Sequence, residues 1–103
     1  MRFLLRIKLP NEYGNSMIKN PQFLEKLNQM LEELKPEATY FGPVDGVRGM
    51  YLIVNLHDES ELVRVTEPFF LGLHAEIDPV LLMVQDDLRK AGAYIEAAVK
   101  KWG

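Results

Sequence analysis

The stretch Gly49–Leu56, GMYLIVNL, is apolar on both of its alternating faces, Tyr51 and Asn55 apart. A strand with one wet face alternates apolar and polar residues, so one that does not is central in a sheet and covered on both sides. Any fold for this chain must place the segment mid-sheet and find material for two covering layers.

The flanking sequence supplies the other elements. In residues 2–8, Phe3, Leu5 and Ile7 alternate with Leu4, Arg6 and Lys8, and Pro10 ends the run. Arg6 and Lys8 also interrupt the apolar opening MRFLLRIKLP, which reads as a first strand and not as a leader peptide. Asn11 to Asn20 is rich in turn formers, Gly14 and Ser16 among them, and reads as a loop with Met17 and Ile18 tucked inward. Asn20-Pro21 reads as a helix start, followed by the stripe Phe23, Leu24, Leu27, Met30, Leu31 and Leu34 until Pro36. Glu37 to Gly42 is a short strand, and Asp45-Gly46 is the turn dipeptide before the central arm.

Asp58 or Ser60 caps a second helix burying Leu62, Val63, Val65, Phe69 and Phe70, which Pro68 should kink or end. Gly72 reads as a break. Leu73 to Met83 then reads as a strand with Leu73, Ala75 and Ile77 on one side, His74, Glu76 and Asp78 on the other, and Pro79 marking an edge or bulge. Val84, Leu88, Ala91, Ile95, Ala98, Val99 and Trp102 recur at steps of three and four. Asp86 and Asp87 in the first turn and Lys100 and Lys101 in the last complement the dipole of this final helix, whose Ile95 and Val99 should be buried.

At 103 residues, with 48% apolar and 26% charged positions, the chain is a single domain spanning 1–103. The net charge of −3 and the scattered basic residues give no phosphate-binding face, so no nucleic-acid partner is expected. The absence of cysteine removes disulfides, thiolate nucleophiles and thiolate metal sites. No segment approaches the ~18–20 apolar residues of a membrane span, so a cytoplasmic protein without a membrane partner is expected.

Strand, helix, strand, strand, helix, strand, helix is an α+β order: a ferredoxin-like β-α-β-β-α-β unit with an extra C-terminal helix. Its four-stranded antiparallel sheet has the first and third strands central. Two helices cover one face, and the C-terminal helix or a second copy must cover the other. The order of elements, together with FLLRIKLP, KPEATYFG, DGVRGMYLIVNL and TEPFFLGLHAEIDPVL, resembles the dimeric α/β-barrel superfamily, and within it small bacterial proteins of about this length. The resemblance implies a homodimer whose two sheets close into a barrel, with room for a small organic ligand between sheet and helices or between sheets. It carries over no catalytic residue and no cofactor.

The candidate site is the polar side of the sheet. There Arg6, Tyr51, Asn55, His74 and Glu76 are expected to line one pocket, His74 and Glu76 being the candidate proton-transfer pair and Arg6 an anchor for an anion. On that basis the alternative to a binding protein is a cofactor-independent isomerase or monooxygenase-like enzyme. The competing reading of the same residues is a salt-bridge lattice at a dimer interface, which the cost of unpaired buried charge favours. His57-Asp58 reads as a helix cap before a catalytic pair, and no close-spaced ligand motif supports a metal. Tyr40, Phe41, Tyr94 and Trp102 suit either core or an aromatic-lined pocket, and Gly42, Gly46 and Gly49 lack the spacing of a phosphate loop.

Overall fold

The computed structural model describes residues 1–103. The elements run β1 (Arg2–Lys8), α1 (Asn11–Ile18), α2 (Phe23–Leu34), β2 (Ala38–Phe41), β3 (Gly49–Asn55), α3 (Glu61–Leu73), β4 (Glu76–Leu82), α4 (Gln85–Lys90) and α5 (Gly92–Trp102). The four strands form one sheet in the order β2-β3-β1-β4, and every neighbouring pair is antiparallel. β1 and β3 are therefore the inner strands, an α+β arrangement compatible with a ferredoxin-like fold.

Strand alternation divides the sheet cleanly. Leu5 and Ile7 of β1 and Met50, Leu52 and Val54 of β3 are buried on one face, where Phe23 and Leu27 of α2 and Val65, Phe69 and Leu73 of α3 meet them. Burial of these side chains stabilises the fold by ~1.5–3 kcal/mol each before entropy is counted. No helix covers the opposite face, so Tyr51 and Ile53 of β3 remain half-buried there.

Several expectations from the sequence are corrected. Residues 11–18 form a helix, not a loop: tertiary contacts override poor propensity, with Met17 against the core and Asn15 Oδ1 accepting from Arg48 Nη1 at 2.8 Å. The next helix starts at Phe23, because Asn20 Oδ1 takes the Gln22 N–H at 3.0 Å and holds a turn at the expected cap.

In α3, Pro68 stands on the exposed side and the helix continues five residues beyond it to Leu73. The buried side is Val65, Thr66, Phe69 and Leu73, leaving Val63 and Phe70 exposed. Gly72 does not break the chain. A Cβ there would stand 2.3 Å from Met30 Cε, so the glycine leaves room for the end of that α2 side chain against α3. The strand consequently begins at Glu76, and His74 becomes the left-handed C-cap of α3 at φ 51°.

The last correction concerns the C-terminus. α4 and α5 contain no buried residue, with Ile95 53% and Val99 61% exposed. The molecule measures 59 × 27 × 20 Å with a radius of gyration of 17.3 Å. A compact chain of ~100 residues has a radius near ~13 Å, so α4 and α5 form an arm leading away from the body. The expected second cover for the sheet is thus not this chain's own helix.

Candidate functional site on the open sheet face

Cross-strand register assembles the open face in rows. One row is Ala38, Ile53, Leu4 and Val80, apolar across all four strands. On one side of it lies the row Tyr40, Tyr51, Arg6 and Asp78, followed by the pairs Lys8 with Gly49 and with Glu76. On the other side Arg2 is flanked by Asn55 and Leu82. Arg6, Tyr51, Asn55 and Glu76 therefore share the face assigned to them from the sequence.

His74 does not join the strand row. Lying before the first residue of β4, it stacks its ring on Tyr13 of α1, with centroids 4.3 Å apart and planes 7° from parallel. The alternation His74, Glu76, Asp78 suggested a shared strand face. It fails at its first member because the αL turn at the end of α3 re-aims that residue.

The charges on the face are matched among themselves. Arg6 donates from Nη2 to Asp45 at 2.7 Å and from Nη1 to Asp78 at 3.0 Å. Lys8 Nζ lies 3.4 Å from Asp45 and 3.6 Å from Glu76. Arg2 makes a two-pronged contact with Glu37 at 2.9 and 3.1 Å. The Tyr51 hydroxyl donates to the Pro43 carbonyl at 2.6 Å. Arg6, the expected anion anchor, already has two carboxylates on its fork, so the face has the form of the lattice foreseen as the competing reading.

Asp45, which the sequence marked only as half of a turn dipeptide, is the residue that closes this lattice. Val44 and Val47 bridge to each other, with Asp45 and Gly46 between them at φ 50° and 83°, so the turn forms as expected. The turn folds over the end of the sheet. Val44 is fully buried against the space left by Gly49, and Asp45 reaches both Arg6 and Lys8. A hollow of about 260 Å³ lies between this turn and β4, lined by Arg6, Lys8, Asp45, Glu76 and Asp78. An Asp-Gly turn announces a hairpin; it carries no signal that its carboxylate will cap a distant strand.

Hydrogen bonding by the Arg6 guanidinium, reinforced by its charge, holds the Asp45 carboxyl below the usual range, and Arg2 does the same for Glu37. At the other end of the molecule, Asp58 is lowered by the Ser60 hydroxyl and Glu61 by the His57 backbone N–H, so His57-Asp58 is a helix entry. Each of these carboxyls binds its proton less readily folded than unfolded. They therefore add stability at pH values above the ordinary carboxylate range, and that contribution disappears as pH falls through their lowered folded values. The urea midpoint is expected to hold from neutral pH to about 5 and to drop as acidification continues below about 4, the ordinary carboxylate region. Asp45→Asn should flatten part of that drop; an unchanged acid limb would mean the lattice carries no linkage.

The aromatic candidates do not converge. Tyr40 and Phe41 stand exposed on the edge strand β2, while Tyr94 and Trp102 stand exposed on the arm. No helix is long and apolar enough to cross a membrane. No family model, curated protein or solved structure matches the chain.

Proposed function

We propose that the chain works as a homodimer whose open sheet faces close on one another in a ferredoxin-like dimeric barrel, holding a small uncharged organic molecule between them. The observation that carries this reading is the apolar row Ala38–Ile53–Leu4–Val80, bordered on both sides by charges that already neutralise each other. An inner strand with Leu4 or Ile53 facing water is unusual unless another layer covers it. A second copy brings an identical row, and a two-fold contact needs only self-complementarity. Because the cations of the face are paired, the enclosed space favours neutral over anionic ligands.

Leu4→Asp tests the contact. The side chain faces away from the helix-packed core, so the fold should survive, while an unpaired charge is placed at the centre of the interface. Light scattering at micromolar concentration is expected to give twice the 11.9 kDa chain mass for the parent and a single chain mass for the variant. A parent that is monomeric under these conditions sinks the reading. Native mass spectrometry of protein purified from its own host would then show whether a small neutral molecule travels with the dimer.

A further inference from the structure

We infer that Asp45-Gly46 is a modification site, where the chain converts to isoaspartate through a cyclic imide, and that Arg6 and Lys8 hold the site closed in the folded protein. The inference stands on the turn between Val44 and Val47 and on β1 alone, and it requires neither the sheet-face contact nor a second copy.

The shape of the turn selects the dipeptide. Residues 45 and 46 both stand at positive φ, 50° and 83°. A two-residue loop of that kind takes Asn or Asp followed by Gly, which tolerate the left-handed region. Aspartate adds a charge that asparagine would not, and that charge ties the turn to β1. Its Oδ1 accepts from Arg6 Nη2 at 2.7 Å, and its Oδ2 lies 3.4 Å from Lys8 Nζ. Each cation also meets a carboxylate of β4, Arg6 with Asp78 at 3.0 Å and Lys8 with Glu76 at 3.6 Å. Asp45 holds the nearer place on both.

The same dipeptide sets a nucleophile beside an electrophile. The Gly46 N–H donates to no group of the chain, and nothing lies within 4 Å of where a Cβ at Gly46 would stand. Its nitrogen can therefore close on Asp45 Cγ without giving up a hydrogen bond or meeting a side chain. In that step the N–Cγ bond forms, and one carboxyl oxygen leaves as water with the acid proton and the amide proton. Water then opens the ring at either carbonyl. Breaking the new N–Cγ bond restores aspartate. Breaking the bond between that nitrogen and the main-chain carbonyl carbon of Asp45 gives isoaspartate, with the chain running through Cβ and Cγ. One water is released and one taken up, and no other reactant enters. The Asp45 side chain is about half exposed, so water reaches it.

The lattice opposes closure from any starting rotamer. The imide carries no charge, so cyclisation abolishes the charge-assisted contacts to Arg6 and Lys8 together. Both cations also favour the carboxylate over the acid that must lose water, in keeping with the lowered Asp45 carboxyl. The product is unseated as well. Isoaspartate adds a methylene to the main chain between Val44 and Val47, which disrupts their mutual N–H to C=O pairing at 2.9 and 3.1 Å. Its carboxylate hangs directly on Cα, one carbon short of its former reach. The fully buried Val44 then loses the turn that seats it.

Water enriched in heavy oxygen reads the ring directly, because hydrolysis of the imide leaves a solvent oxygen at position 45. The full-length chain is incubated for several weeks slightly below neutral pH, and the tryptic peptide ending at Arg48 is weighed. The folded parent is expected to take up label at least about tenfold more slowly than the same chain in urea, and R6Q/K8Q, still folded, to recover most of that gap. Arg6→Gln and Lys8→Gln made singly should each give part of the rise, which keeps the comparison open if the pair does not fold. Leu27→Ala weakens the buried core with both cations in place, so its uptake should stay near the parent's. The isoaspartyl form, separated by chromatography, should have a lower urea midpoint than the parent. Four results would overturn the proposal: a folded parent that labels as fast as the unfolded chain, folded cation variants that label at the parent rate, Leu27→Ala raised as far as R6Q/K8Q, or an isoaspartyl form with the parent's midpoint. None of these readouts depends on Leu4→Asp, so the turn and the sheet-face contact stand or fall separately.

Discussion

Gly49→Ala is expected to destabilise the protein by about 2–3 kcal/mol, although one added methyl group in a strand would ordinarily be neutral or slightly favourable. The reason is local. A Cβ at position 49 would lie 2.4 Å from the Ile7 backbone oxygen and 2.5 Å from Val44 Cγ2. The first contact is with the backbone of the inner strand β1, which cannot move without breaking its pairing with β3. The second is with a fully buried side chain, so relief requires the Val44–Val47 turn to lift from the sheet. The gain of about 0.4–1 kcal/mol from a less flexible unfolded chain is smaller than either cost. Lifting the turn also withdraws Asp45 from Arg6 and Lys8, so the variant should lose part of the acid dependence of stability along with its urea midpoint. Equal midpoints for parent and variant would mean that the turn is not seated on the sheet.

Gly49 shows where sequence reasoning stops. Turn chemistry and strand periodicity were legible: the Asp-Gly turn, the inner position of the GMYLIV arm and the split of Leu5 and Ile7 from Leu4 and Arg6 all follow from local rules. The missing information was tertiary. Residues 11–18 have turn-like composition and become helical because Met17 and Asn15 find partners far along the chain. Gly72 looks like a stop and is instead a point of close approach for Met30.

The candidate site divides along the same line. Arg6, Tyr51, Asn55 and Glu76 were placed on one face by period-two alternation, which holds within a strand. His74 was placed there by extending the alternation past the strand's first residue, where a left-handed helix end governs. Asp45 was missed because its role depends on a turn folding back over β1. The C-terminal segment is helical as its periodicity predicts, but the expected burial of Ile95 and Val99 fails, because an apolar stripe at helical spacing carries no information on whether this chain's own body lies beneath it.

Phe69→Ala should have the largest effect of any single truncation, about 3–5 kcal/mol. Phe69 is the largest of the fully buried side chains and lies in α3 among Leu5, Leu52 and Leu73, where the helical layer meets the inner strands. Removing the ring forfeits its transfer free energy and leaves a cavity. That cavity collapses poorly, because one wall is a hydrogen-bonded sheet and the other is a helix held at its C-terminus by Lys26 Nζ donating to the Gly72 carbonyl at 2.7 Å. The helix also carries the cost of Pro68, whose missing N–H and ring clash are worth roughly 3 kcal/mol in a helix interior, so α3 relies on its packing more than most helices. At ~4–8 °C per kcal/mol for a domain of this size, the melting temperature should fall by about 12 °C or more. Phe70→Ala, one residue on and half-exposed, should shift it by only a few degrees, ~1 kcal/mol or less on the same scale. If the two variants melted together, α3 would be rotated about its axis, and the assignment of Val65, Phe69 and Leu73 as the face that seats the sheet would be wrong.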